Sequence, residues 1–189
     1  MNKRNINLRF RELVTKIKSD EFYNNRGLAN EVPFYIFDYQ PEDELSMRDN
    51  IKNLLLPALK DDVRLKAIEI DLFELLIESL NNDGIFESVF KMEERRGTKI
   101  LYEKLKKSFN MEVICNYFKE KSKDKNFVII TGVGKIFPLV RTHALLNNLQ
   151  VIFNETKVLL FFPGKYTTTT DLRVFGFKDN HYYRAFRID

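Results

Sequence analysis

A chain of 189 residues suits one domain of ordinary size, and a hydrophobic share of 44% excludes global disorder. One cysteine, Cys115, excludes an internal disulfide or a paired-cysteine metal knuckle, and two histidines, His143 and His181, exclude a histidine-rich metal site. A net charge of +4 from 31 basic and 27 acidic residues permits nucleic-acid contact without indicating it, and no apolar run approaches the ~20 residues of a membrane span. The first residues lack the apolar core of a signal peptide, so the expected location is cytoplasmic.

In chain order, residues 5–20 predict a helix, with Ile6, Phe10, Leu13, Val14 and Ile17 forming one apolar stripe. Arg9, Arg11, Lys16 and Lys18 fall outside it and are expected on solvated sides. Phe34 to Phe37 reads as a short strand ending at Asp38. The loop that follows, to Arg48, has no glycine and no Lys-Ser/Thr pair, and its carboxylates Asp38, Glu42, Asp43 and Glu44 would repel phosphate. Residues 43–60 predict a second helix, kinked or restarted at Pro57. Residues 66–71 predict a second strand. Asp71 then either caps the helix carrying Phe73, Leu76, Ile77 and Leu80 or stands as an acidic group at the carboxyl edge of a sheet.

Residues 84–125 form a strongly charged helical region that Gly97 should break or cap. Lysines run along it, but Glu103, Glu112, Glu120 and Asp124 are interspersed, which favours a solvated face over a nucleic-acid face. Phe127 to Ile130 is an unbroken apolar run of the kind found in parallel strands buried on both sides. Gly132 and Gly134 permit a tight turn with positive φ, and a helix is expected from Ile136 to Gln150 with Pro138 in its first turn. Lys157 to Phe162 predicts another buried strand. Leu172–Phe175 and Tyr182–Ile188 alternate and predict an antiparallel hairpin, with one of Arg184 and Arg187 buried or paired. The expected fold is one three-layer α/β domain over residues 1–189. Its sheet is mainly parallel with helices on both faces, Rossmann-like or degenerate P-loop-like, with strands near 34–38, 66–71, 127–131 and 158–162 and the hairpin at the end.

The residues Thr131-Gly-Val-Gly134, Pro138, Arg141-Thr-His143, Leu145 to Gln150, Phe161-Phe-Pro-Gly164 and Tyr166 carry a family resemblance. Leu172, Phe175-Gly176 and Tyr182 to Arg187 extend it. Together they resemble BrxB, the small B component of bacterial BREX phage-defence systems. The match is dense from about residue 126 to the end and looser before it. The resemblance implies a cytoplasmic bacterial protein working beside a PglZ-type protein, a large ATPase and a DNA methyltransferase. It implies no assigned catalytic activity and no cofactor.

The chemistry legible in the residues is thin. Gly132-Val-Gly-Lys135 lacks the spacing of a Walker loop and the third glycine of a dinucleotide fingerprint. A glycine turn opening a helix can still hold an anion on its free N–H groups, with Lys135, Arg141 and Lys165 adding charge. The other reading is a tight turn needed for packing. Arg141 and His143, two apart, face different sides and make no catalytic pair. No Ser-His-Asp order, metal-ligand set or carboxylate pair stands out. Asn147-Asn148 in mid-helix suggests a loop cap or a partner contact. Two functions remain open. One is a non-enzymatic adaptor that docks the PglZ-type partner and the ATPase. The other is a nucleotide- or nucleic-acid-binding subunit using the Gly132–Lys135 turn. The candidate ligand-binding residues are Gly132, Gly134, Lys135, Arg141, His143 and Lys165.

Overall fold

The computed structural model describes residues 5–24, 32–167, 171–174, 177–179 and 185–188. Helices α1 (Ile6–Ile17) and α2 (Asp20–Tyr23) precede strand β1 (Phe34–Tyr39). Asn5 and Ser19 cap the two helices through their side chains. A short 3-10 turn leads into α3 (Glu44–Asn50), which widens into a π turn over Ile51–Leu55 and resumes as α4 (Leu56–Lys60). Pro57 explains the widening: its nitrogen has no hydrogen to give, so the regular ladder cannot run through it. Then come β2 (Ala67–Asp71), α5 (Leu72–Asn82), α6 (Phe86–Ser108) and α7 (Met111–Lys121). Gly97, at φ 78° and ψ 163°, breaks α6 as the sequence suggested, and residues 93–100 around it are exposed. Strand β3 (Phe127–Thr131) is followed by α8 (Val133–Ile136), α9 (Thr142–Ile152) and β4 (Lys157–Thr167). Short strands β5 (Asp171–Val174), β6 (Phe177–Asp179) and β7 (Phe186–Arg187) complete the described chain.

Five strands pair in the order β2-β3-β4-β1-β7, all parallel. Strand β3 is interior, as its apolar run requires, because the strand's side chains are covered on both faces. Alternation along each strand divides the core. Tyr35, Phe37, Ile129, Leu159 and Phe161 pack against α1, α2 and the α3–α4 segment. Phe34, Ile36, Val128, Ile130, Leu160 and Phe162 pack against α5 to α9. The result is three layers. The connection leaving β1 crosses the first face to the far edge, and those leaving β2 and β3 return over the second. Opposite directions on opposite faces are what crossovers of a single hand require.

Three expectations need correction. The helix expected over 136–150 is two helices. Phe137, preceding Pro138, is extended (φ −67°, ψ 137°), because a residue before proline is pushed out of the helical region; α9 begins only at Thr142. The C-terminal hairpin does not pair as expected. Phe186–Arg187 joins β1 in parallel at the sheet edge, while Asp171–Val174 runs antiparallel to Gly164–Thr167 and to Phe177–Asp179. A free outer edge of β1 supplies a longer-range partner than the neighbouring strand. Residues 180–184, and with them Arg184 and His181, lie outside the described residues. Lastly, Arg9 is not on a solvated side: its side chain is 13% exposed and its guanidinium lies 4.6 Å from the centre of the Phe37 ring.

Candidate functional site

The carboxyl ends of β2 and β3 hold the turn that the sequence singles out. Gly132 stands between β3 and α8 in the left-handed region (φ 76°, ψ 11°). A Cβ there would lie 2.8 Å from Cγ of Asp71 and closer still to its Oδ1. Glycine is therefore required twice, by backbone conformation and by the approach of a carboxylate. Gly134 is different. It sits inside α8 and is not among the positive-φ glycines, so the expectation that both glycines open the turn holds for Gly132 alone.

Asp71 serves both of the roles proposed for it. Its Oδ1 accepts from the backbone N–H groups of Phe73 (2.9 Å) and Glu74 (3.3 Å), capping α5. Its Oδ2 accepts from the Lys135 ammonium, which forms an ion pair with it across the turn. Thr131 Oγ1 lies 2.9 Å from Glu69 Oε1 and 3.4 Å from Asp71 Oδ2; its single proton goes to the nearer oxygen. The turn thus carries two carboxylates against one ammonium. A phosphate entering here would meet net negative charge and would have to displace Asp71 from Lys135.

The other candidates are not gathered at this turn. Arg141 occupies the N-cap position of α9, exposed and without a side-chain cap bond. His143 is half-buried in the first turn of α9. Lys165 is exposed on the far part of β4, opposite Arg173 in the β4–β5 pairing. Among the described residues no hydrogen bond or ion pair joins Arg141 or Lys165 to Lys135. Asn148 donates to the Ala144 carbonyl of its own helix (2.7 Å), so it caps no neighbouring loop, and Asn147 is exposed.

A second cluster at the same end of the sheet escaped sequence reasoning. Asp38, 5% exposed near the end of β1, accepts at Oδ1 from Arg187 Nε (2.9 Å) and Arg9 Nη2 (3.2 Å). Its Oδ2 accepts from the Tyr166 backbone N–H (3.0 Å). The Tyr166 ring is buried, and its hydroxyl donates to the Ala185 carbonyl at 2.7 Å. Winding reverses about β1, and the carboxyl ends beside it are where an α/β fold ordinarily opens a ligand crevice. Here β4 continues past its parallel partners, and its own backbone and tyrosine engage that place. The signal was in the sequence: a carboxylate amid Phe34-Tyr-Ile-Phe-Asp-Tyr39 must be paired if the strand is buried. Of the two arginines foreseen, Arg187 is among the described residues and is paired.

In the neighbouring acidic loop, Glu44 is also paired within the chain. Tyr39 donates its hydroxyl to Glu44, whose other oxygen accepts from Arg48 Nε at 2.8 Å. Burial, reinforced by that hydrogen bond, pushes the Tyr39 phenol far above its ordinary pKa, so it stays protonated. Among the described residues no group of three or more His, Cys, Asp or Glu side chains could hold a metal, and no helix is long and apolar enough to cross a membrane.

Comparison with known proteins decides the family. The family model for BREX protein BrxB matches residues 68–188. The chain belongs to the BrxB family. It is 36% identical over 190 residues to a BREX protein BrxB of Bacillus cereus (strain H3081.97), covering 98% of each chain. It is 35% identical over 182 residues to a BREX protein BrxB of Escherichia coli O9:H4 (strain HS), covering 95% of this chain and 90% of that one. It is thus a component of the BREX defence system, as the resemblance implied. No solved structure matches the chain.

Proposed function

We propose that this chain is a non-enzymatic adaptor of its BREX system, a single cytoplasmic α/β domain of Rossmann-like type that docks the PglZ-type protein and holds it near the ATPase. One observation carries the reading. The place where an α/β fold would grip a phosphate is filled by its own groups: Asp71 neutralises Lys135 and lies against Gly132. Asp38 and Tyr166 engage each other beside it. A protein with this edge closed has its helical faces and its opposite edge left for partners.

The test compares wild type with Lys135→Ala. The variant should keep its stability within about 1 kcal/mol of wild type, because a partly exposed pair contributes little. Neither protein should gain thermal stability from ATP, GTP or short DNA, and both should recover the PglZ-type protein in a pull-down. ATP-dependent stabilisation of the wild type, lost in Lys135→Ala, would instead make the Gly132–Lys135 turn a nucleotide site.

A further inference from the structure

The end of the sheet opposite the Gly132 turn carries a groove of about 620 Å³. It runs between the π turn with α4, the segment leading into β2, and Lys125 ahead of β3. Its apolar lining comes from Leu56, Pro57, Leu59, Val63, Leu65 and Ala67. Val63 is 90% exposed, with no covering side chain among the described residues. Four exposed lysines, Lys52, Lys60, Lys66 and Lys125, also line the groove. The single carboxylate among the lining residues is Asp62, which is already paired: its two oxygens accept from Arg64 Nη2 (2.7 Å) and Nε (2.9 Å). Asp61 and Asp124 neighbour the groove in sequence but do not line it.

We propose that this groove is the docking site for an acidic segment of a partner protein, one whose apolar side chains enter beside Val63 and whose carboxylates meet the four lysines. The inference rests on the adaptor reading and assigns it a surface. Two features select polypeptide over nucleic acid. Among the described residues lining the groove there is no aromatic ring or arginine on which a base could stack. Six of its lining side chains are apolar, and these reward leucine-like groups, which a phosphodiester backbone lacks. The groove also adjoins β2, which among the described residues has a strand neighbour on one side only, so an extended segment finds an open sheet edge beside the lysines.

The experiment uses the full chain and the PglZ-type protein of the same BREX system as the probe, with affinity measured at low and high salt. One variant carries Lys52→Glu, Lys60→Glu, Lys66→Glu and Lys125→Glu. A second carries Val63→Asp alone, at a position too exposed to matter for folding. A control reverses Lys91, Lys99, Lys104 and Lys107, all exposed on α6. Circular dichroism should show all variants folded. The groove reversal should weaken binding at least about tenfold and flatten its salt dependence, since charges at an interface govern both. Val63→Asp should also weaken it, and the control should bind as wild type does. Undiminished binding by the groove reversal sinks the groove while leaving the adaptor reading intact. Failure of the wild type to bind the probe sinks the adaptor reading, and this proposal with it. Loss of short-duplex DNA binding with retained protein binding would assign the lysines to nucleic acid and overturn the proposal.

Discussion

Replacing Gly132 by alanine tests whether the βα turn is built by packing around Asp71. The methyl group meets two obstacles. At φ +76° a residue with a Cβ carries strain of about 1–2 kcal/mol. The Cβ would also lie 2.8 Å from Asp71 Cγ, so the carboxylate must move. Moving it breaks the cap on α5, which costs about 1 kcal/mol. The sum, about 2–3 kcal/mol, should lower the melting temperature by roughly 5–10 °C for a chain of this size. Urea unfolding followed by circular dichroism gives the free energy directly. The mechanism makes a sharper claim about the pair. Asp71→Ala alone should cost about 1–2 kcal/mol, the cap and the partly exposed ion pair together. In the double variant the clash is gone and the cap is lost only once. Its cost should fall at least about 1 kcal/mol short of the sum of the single costs. Strict additivity, or a Gly132→Ala cost below about 0.5 kcal/mol, would refute the claim that the carboxylate and the glycine share one space.

Three further outcomes follow from the burial of particular groups. Asp38→Ala removes a buried carboxylate that Arg9, Arg187 and the Tyr166 backbone N–H share, and should cost about 3–5 kcal/mol in denaturant unfolding; Arg187→Ala, whose side chain is 44% exposed, should cost under about 2 kcal/mol. Ile129→Asp puts an unpaired charge at a fully buried position of β3 and should cost about 5 kcal/mol or more, seen as loss of soluble protein on expression. Lys157, 7% exposed beneath the rings of Phe22 and Tyr23, has its pKa lowered by burial. The folded chain then binds its proton less tightly than the unfolded chain, so wild-type stability rises with pH from the folded pKa up to the ordinary lysine range. Lys157→Met should abolish that alkaline gain in pH-dependent melting curves and leave neutral-pH stability equal or higher; a flat wild-type profile would contradict it.

The sequence by itself determined the layers. Runs such as Phe127–Ile130 and Val158–Phe162 are apolar at every position, and only an interior parallel strand buries both faces of such a run. The helix cap at Asp71 and the break at Gly97 are local chemistry and were equally legible; the cap at Ser19, inside the helix expected over 5–20, was not read. Family membership was carried by clustered residues from Thr131 onward. The sequence could not say which groups would meet. Asp71 and Lys135 are 64 positions apart, and Asp38 and Arg187 149 apart. Their pairing depends on strand order and register, which put the ends of β2 beside β3 and of β7 beside β1. Adjacency along the chain left Gly132-Val-Gly-Lys135 readable either as an anion turn or as a packing turn. Only tertiary structure brings a carboxylate from a neighbouring strand into the space that glycine leaves. The same holds for the lysine groove. Lys52, Lys60, Lys66 and Lys125 look scattered in sequence, and a single surface gathers them only because α4, the approach to β2 and the approach to β3 end at the same side of the sheet. Propensity and pattern act over a few residues; charge meets charge through space, and the fold sets those distances.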